Sequence, residues 1–224
     1  MPVYQLPEEP LFPHPSEAEE DGLLAVGGDL SMQRLVTAYA NGIFPWYSEE
    51  HPILWWSPNP RLVLFPEKFK ASKSLIRIVK SRKFEIKFDT AFSEVIENCA
   101  QVKRQHEEGT WITKEMKEAY IILHKKGLAH SVESYLEGKL VGGLYGVSLG
   151  KAFFGESMFH AVSDASKVAF YHLIERLKQW KFNIVDAQVY TDHLVSLGAE
   201  EIPRPKFLKI LENSVQYDTK VGKW

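Results

Sequence analysis

Residues 129–159 read AHSVESYLEGKLVGGLYGVSLGKAFFGESMF, and the architecture predicted for the chain follows from this stretch. Three strand-like runs, at 129–136, 140–149 and 152–159, are separated by short turns that contain glycine. Turns of this length join neighbouring antiparallel strands. We therefore expect a three-stranded antiparallel meander.

The flanking sequence alternates between helical and strand patterns. Upstream, the patterns predict strands at 61–65 and 84–88 and helices at about 71–81, 91–101 and 114–126. Downstream, they predict a helix at 164–180, a strand at 183–190, a short helix ended by Gly198 and a helix at 205–213. Three antiparallel strands followed by helix, strand and helix look like the core of the GCN5-related acyltransferase fold, which is an analogy of element order.

The first 60 residues differ from the rest in composition. Met32, Leu35, Val36 and Tyr39 have helical spacing, and a tryptophan- and proline-rich segment at 43–60 indicates an ordered, non-repetitive connection. The predicted class is α/β (α+β). Residues 1–60 would form a small N-terminal α+β domain, and residues 61–224 an acyltransferase-like catalytic domain with a mainly antiparallel sheet.

Bulk composition excludes several classes of protein. With 45% hydrophobic residues in 224, the chain can bury a large core. The formal charge of −2 means that a nucleic acid would have to meet a local basic patch. The single Cys99 fits a reducing cytoplasm, and the sequence has neither a signal peptide nor an apolar run long enough for a membrane span.

The strongest charge feature is a basic stripe, which we define as Lys70, Lys73, Arg77, Lys80, Arg82 and Lys83. Its first four members repeat at three and four residues, so we expect them on one face of a helix. Two interpretations stay open. The stripe is either an ordinary solvated face or a surface for nucleic-acid phosphates.

Two acids interrupt predicted core strands. Asp186 and Gln188 are two residues apart on the strand at 183–190, which places them on one face, with Val185, Ala187 and Val189 on the other. Glu156 interrupts the apolar strand at 152–159. A buried carboxylate is costly unless it is paired. Asp186 alone is therefore readily explained as a structural acceptor, and Glu156 beside it favours an acidic pocket.

Other chemistries lack their motifs. Acyl-CoA enzymes of this fold hold the pyrophosphate with an Arg/Gln-x-x-Gly-x-Gly/Ala loop, whereas residues 155–160, where we expect the strand to meet its helix, read GESMFH. Nucleophile-elbow, P-loop and dinucleotide-loop patterns are absent, and the histidines have no metal-ligand spacing. The sequence calls for no cofactor and no metal.

Taken in order, a series of strings resembles the leucyl/phenylalanyl-tRNA-protein transferase family. They are GLLAVGGDLS at 22–31, GIFPW at 42–46, WWSP at 55–58, GTWIT at 109–113, AHSVE at 129–133, LVGG at 140–143, GESMF at 155–159, ASK at 165–167, DAQV at 186–189 and SLGA at 196–199. The resemblance spans about residues 12–207. The chain departs from it at Thr191, where Asn is common.

The resemblance implies a cytoplasmic enzyme that takes leucine or phenylalanine, and sometimes methionine, from aminoacyl-tRNA. It would attach that amino acid to proteins that begin with Arg or Lys and so mark them for N-end-rule degradation, acting as a monomer without a membrane. Asp186 and Gln188 would be the catalytic pair, and Glu156 would help to bind the basic acceptor. Pocket residues would be Trp111, Tyr120, Phe153 and Met158, bordered by Tyr39 and Trp46; the basic stripe would bind tRNA.

An aminoacyl ester is already activated, so amide formation needs no ATP and only a neutral amine placed against the carbonyl. We hypothesise that Asp186, directly or through Gln188, draws the proton from that amine. Two alternatives stay open: an acyl-CoA-dependent N-acyltransferase and a non-catalytic RNA-binding protein.

Overall fold

A computed structural model describes residues 3–102 and 111–224 of the chain. The helices of this part of the chain are α1 Met32–Ala40, α2 Lys73–Lys80, α3 Phe92–Ala100, α4 Lys114–Lys125, α5 Ala165–Gln179, α6 Asp192–Ser196 and α7 Arg204–Val215. Its strands are β1 Tyr4–Gln5, β2 Leu23–Val26, β3 Phe44–Pro45, β4 Leu54–Trp56, β5 Arg61–Leu64, β6 Glu85–Phe88, β7 Ala129–Leu136, β8 Lys139–Leu149, β9 Ala152–His160, β10 Ile184–Gln188 and β11 Glu200–Ile202. The α/β (α+β) class is confirmed.

The predicted meander is confirmed. Strands β7, β8 and β9 pair in chain order and antiparallel, with Val132 opposite Leu144 and Leu144 opposite Met158. The tight β7–β8 turn needs a left-handed backbone at Glu137 and Gly138, whose φ values are 51° and 76°. Glycine adopts this conformation without strain, which explains the turn signal in the sequence.

A seven-stranded sheet is built around the meander in the order β11-β5-β10-β9-β8-β7-β6. Strands β9 and β10 pair in parallel, while the other neighbours in this sheet pair antiparallel. Helix α5 connects β9 to β10, as a crossover between parallel strands requires. The predicted element order of the C-terminal region is therefore present, including the short helix before Gly198, which is α6. The short strand β11, which was not predicted, lies between α6 and α7.

A second sheet has four strands in the order β1-β2-β4-β3, and all four lie between Tyr4 and Trp56. Strands β3 and β4 lie in the segment that the sequence indicated was a non-repetitive connection, so that interpretation was incomplete. Helix α1 packs on α4 and α7, and one hydrophobic cluster includes Leu24, Trp55, Phe154 and Phe207. The two sheets thus share a core, and the division into domains 1–60 and 61–224 stays a prediction.

The large sheet is covered on both faces. Phe154 points into the cluster shared with the N-terminal sheet, and its neighbour Phe153 points into a second cluster with Phe170, Leu173 and Leu177 of α5. This alternation follows from the period of two along a strand. The cavity described below is lined by residues of both clusters, such as Phe44 of the first and Phe153 of the second.

Candidate active site

A cavity of about 350 Å³ opens where β9 and β10 separate. Their parallel pairing runs from Ile184 opposite Ala152 to Asp186 opposite Phe154 and then stops, although β9 continues to His160. Beyond this point the strands no longer fill the space between them, and the side chains of residues 155–158 and 186–189 line the gap. The volume is within the usual range for a small-molecule site.

Irregularities in both strands aim side chains at this cavity. Glu156 is the extra residue of a bulge in β9, because Gly155 and Ser157 face the consecutive residues Gly146 and Tyr145 of β8. In β10, the register shifts between Asp186 and Gln188 in the same way. Such bulges are typical next to active sites, since they redirect a side chain without ending the sheet.

Gln188 has a φ of 65°, which is rare for a residue with a side chain. The Val189 amide donates to Ala187 O at 2.8 Å and closes a tight turn there. Strand β10 therefore ends at Gln188, and the prediction of a strand to 190 was too long. Val189 was expected to pack with Val185 on the far side; instead it is 39% exposed. It lines the cavity, as Val185 and Ala187 also do.

Asp186 is fully buried and forms a bidentate ion pair with Arg61. Arg61 Nε lies 2.8 Å from Asp186 Oδ1, and Nη2 lies 2.6 Å from Oδ2. The guanidinium is held between the rings of Phe44 and Phe207, each 4.7 Å away. Asp186 Oδ1 also accepts the Gln188 amide at 3.0 Å. Both carboxylate oxygens of Asp186 are thus occupied by groups of the protein.

Within residues 3–102 and 111–224, Glu156 has no basic partner and is held by neutral donors. Its Oε1 accepts Tyr39 Oη at 2.8 Å and Gln188 Nε2 at 3.0 Å, and its Oε2 accepts Tyr120 Oη at 3.0 Å. The two tyrosine hydroxyls also contact each other. Glu156 is partly exposed to the cavity, whereas both tyrosines are buried behind it.

Removal from water raises the pKa of Glu156 from 4.5 to about 7, and the charge of Asp186 adds to the increase. The hydrogen bonds from Tyr39, Tyr120 and Gln188 act in the opposite direction, because they stabilise the carboxylate. Burial beside this acid also raises the pKa of both tyrosines well above the usual value, so they remain hydroxyl donors at neutral pH.

Glu156, Asp186 and Gln188 are thus brought together, as the pattern of acids predicted. Trp46, Trp111, Phe153 and Met158 line the same cavity. Tyr39 and Tyr120 do not line it, and contribute instead through their hydroxyls on Glu156. Tyr120 was expected as a pocket-wall residue; its position on the buried face of α4 places it behind the acid.

Sequence reasoning missed part of the cavity wall. Phe44, Leu144, Phe170 and Leu173 complete an apolar surface, and His193 of α6 adds a polar group whose pKa is lowered by burial. Their spacing showed only that they pack in a core. Arg61 was also missed as a site residue, although a charged residue at the start of the apolar run RLVLF was a usable signal.

The basic stripe is exposed, but it is not a single helical face. Helix α2 begins at Lys73, because Ser72 caps it by accepting the Leu75 amide at 3.1 Å. Lys70 precedes the cap, and its amide donates to Leu197 O at 2.8 Å. Leu197 directly follows α6, whose His193 and Leu194 line the cavity. The stripe therefore begins one short helix away from the cavity wall.

The junction between β9 and α5 differs from the one expected from the sequence. Residues 155–160 lie inside β9, so the junction between this strand and α5 is residues 161–164, which read AVSD. That segment also lacks the glycine-rich pyrophosphate loop.

The first two residues of the string at 109–113 lie outside the described part of the chain. Thr191 lines the cavity and caps α6 by accepting the Leu194 amide at 3.3 Å, a bond that Asn could also make.

Within residues 3–102 and 111–224, no group of three His, Cys, Asp or Glu side chains is arranged to hold a metal ion. In the same ranges, no helix has the length and apolar character needed to cross a membrane.

The fold and the cavity define a class of protein: a mixed α/β enzyme whose apolar pocket contains an acid with a pKa near neutrality. The sequence model described as leucyl/phenylalanyl-tRNA protein transferase matches residues 63–212, and the model of its N-terminal domain matches residues 28–59. This chain belongs to the leucyl/phenylalanyl-tRNA protein transferase family, which confirms the resemblance.

Similar proteins cover the whole chain. A leucyl/phenylalanyl-tRNA--protein transferase of Desulfatibacillum aliphaticivorans is 56% identical over 100% of this chain and 96% of its own length. One of Myxococcus xanthus is 54% identical over 100% and 97%. Among solved structures, a ribosomal-protein-alanine N-acetyltransferase from Brucella melitensis covers 52% of this chain and 88% of its own, with 13% identity and a TM-score of 0.36. That score is too low to support an argument.

Proposed function

We propose that the chain transfers leucine or phenylalanine, and sometimes methionine, from aminoacyl-tRNA to the N-terminal Arg or Lys of acceptor proteins. Membership of the family supports this reaction. The observation that carries it is the cavity, because one pocket combines an apolar wall with an acid at its polar end. The apolar wall suits an oily aminoacyl side chain, and the acid suits a cationic peptide end.

The roles proposed for the wall residues follow from their positions. Trp111, Phe153 and Met158 contact the aminoacyl side chain or the terminal adenosine, because aromatic and thioether groups bind unstacked bases and apolar chains. Trp46 closes the pocket from the N-terminal sheet. Tyr39 and Tyr120 act indirectly by orienting Glu156.

The basic stripe is proposed to bind the tRNA backbone. Its side chains are exposed, and it begins next to α6 at the cavity wall. Phosphate contacts from Lys and Arg release counterions and so supply affinity without sequence recognition. A tRNA bound to this surface would have its aminoacyl end directed toward the cavity.

The energetic demand on the protein is modest. The ester bond to tRNA is already activated, so neither ATP nor a cofactor is consumed. An α-amine with a pKa of about 7.7–8.0 is partly neutral near pH 7. Holding the two substrates together can supply on the order of 7–11 kcal/mol.

We place the enzyme in the cytoplasm, where charged tRNA is found, as a monomer whose products enter N-end-rule degradation.

The assay that tests the function mixes the protein with labelled leucyl-tRNA and a peptide that begins with Arg, and in parallel with acetyl-CoA and the same peptide. We expect label on the peptide only from the tRNA. Transfer only from acetyl-CoA would instead support an acyl-CoA-dependent N-acyltransferase, and tRNA binding without transfer would support a non-catalytic RNA-binding protein. A peptide that begins with Asp is the matched control and should receive no label.

A further inference from the structure

The oxygen atoms of Tyr39, Tyr120 and Glu156 form a closed triangle behind the cavity. Each tyrosine hydroxyl contacts one carboxylate oxygen, at 2.8 Å and 3.0 Å, and the two hydroxyls contact each other. Neutral donors hold the carboxylate, and no basic side chain of the described residues pairs with it. An acid without a cation partner can be present in both protonation states, which a group that exchanges a proton requires.

Asp186 is not open to the same chemistry. Its two oxygens are held by Arg61, one of them also by the Gln188 amide, and the residue is fully buried. To reach an incoming amine it would have to give up a buried ion pair, which is strongly destabilising. Glu156 faces the cavity, and among the described residues its Oε2 has a single donor, Tyr120.

We propose that Glu156 is the general base and then the general acid of the transfer, and that Asp186 with Arg61 is a positioning pair that holds Gln188 beside it. This assignment rests on the aminoacyl-transfer function proposed above. It differs from the hypothesis that Asp186 draws the proton, and it gives Glu156 a role beyond attraction of the basic acceptor.

The proton balance closes within this site. The neutral α-amine attacks the ester carbonyl and forms the new C–N bond, and one amine proton passes to Glu156. The C–O bond to the terminal ribose then breaks, and the proton passes from Glu156 to the leaving ribose oxygen. The products are an amide and a free ribose hydroxyl, and Glu156 returns to its initial state.

The pKa near 7 suits both halves of this cycle, since an acid–base catalyst works best when its pKa is near the working pH. In the described part of the chain, the groups that face Glu156 are Tyr39 of α1, Tyr120 of α4 with Tyr145 of β8 behind it, and Asp186 and Gln188 of β10. His193 of α6 lines the same cavity and is the competing candidate for a base.

The first test measures leucine transfer from leucyl-tRNA to an Arg-peptide by Glu156→Gln, which keeps the size of the side chain but cannot exchange the proton. We expect kcat to fall about 10²- to 10⁴-fold at saturating peptide, with KM changed only a few-fold. A kcat that returns to the wild-type value at saturation, with only KM raised, would overturn the proposal, because Glu156 would then merely bind the cation. If the wild-type protein transfers nothing, the proposed function itself fails and the assignment falls with it.

The second test uses the pH profile, which a purely structural role would not move. Because Glu156 must be ionised to accept a proton, kcat/KM should rise with pH through its pKa. Tyr39→Phe removes a donor to the carboxylate and should move this rise upward by about one pH unit. The matched control is Tyr47→Phe, which removes a buried hydroxyl bonded to Thr113, away from Glu156; its profile should match the wild type. A rise that stays in place in Tyr39→Phe, or one that disappears in His193→Gln instead of Glu156→Gln, contradicts the proposal.

Discussion

Asp186 and Glu156 are two acids on neighbouring strands that line one cavity, yet their surroundings are opposite. Asp186 is paired with Arg61 through two hydrogen bonds in a site closed by Phe44 and Phe207. Glu156 is held by two tyrosines and a glutamine, and the described part of the chain supplies no cation to it. Burial of an acid therefore does not by itself indicate catalysis. Its partners determine whether it can exchange a proton.

Removal of Arg61, the cation that pairs with Asp186, should have the largest effect on stability. Arg61→Met leaves Asp186 buried without its cation, and we expect a loss of about 3–5 kcal/mol in the free energy of unfolding. Urea unfolding of the variant measures it. The double variant Arg61→Met/Asp186→Leu should recover most of the loss, since apolar residues of similar volume often replace a buried pair without cost.

A single variant within about 1 kcal/mol of the wild type would contradict the structural role of this pair. In the double variant, transfer activity should remain low even when the fold is recovered, because Gln188 loses the acceptor that fixes its amide. Full activity in a folded double variant would show that Gln188 does not need this support.

The comparison extends outside the cavity to the basic stripe, where the expected effect is smaller. Substitution of Lys73, Arg77 and Lys80 by Glu should weaken tRNA binding and reduce the slope of log affinity against log salt by about one per lost phosphate contact. Salt-dependent tRNA binding measures this, with Lys209→Glu on α7 as a matched exposed control. Unchanged affinity and slope in the triple variant would make the stripe an ordinary solvated face.

The elements with strong local signals were predicted correctly from the sequence. The meander at 129–159, helix α5 and the boundaries near Gly127 and Gly198 follow from side-chain period and from glycines in left-handed turns. Strands β1 to β4 and β11 were missed, because elements of two to four residues are formed by their partners more than by their own sequence.

The sequence predicted which acids meet at the candidate site but not how they are arranged. The strand pattern brought Glu156, Asp186 and Gln188 together, yet a period of two cannot foresee the bulge at 187 or the left-handed turn at Gln188. The partner of Asp186 is 125 residues away, and the hydroxyls of Tyr39 and Tyr120 come from helices 81 residues apart. The first contact depends on the pairing of β5 with β10 and the second on the packing of α1 against α4, and local sequence encodes neither.

The most direct measurement is the titration of the Glu156 carboxyl group by NMR, with ¹³C-labelled glutamate and Glu156→Gln to assign the signal. The pKa should be near 7, because the site removes the acid from water beside the charge of Asp186. A Glu156 signal that titrates with the exposed glutamates, near 4.3, would contradict the account. The acid would then be an ordinary carboxylate, with no proton to exchange at neutral pH.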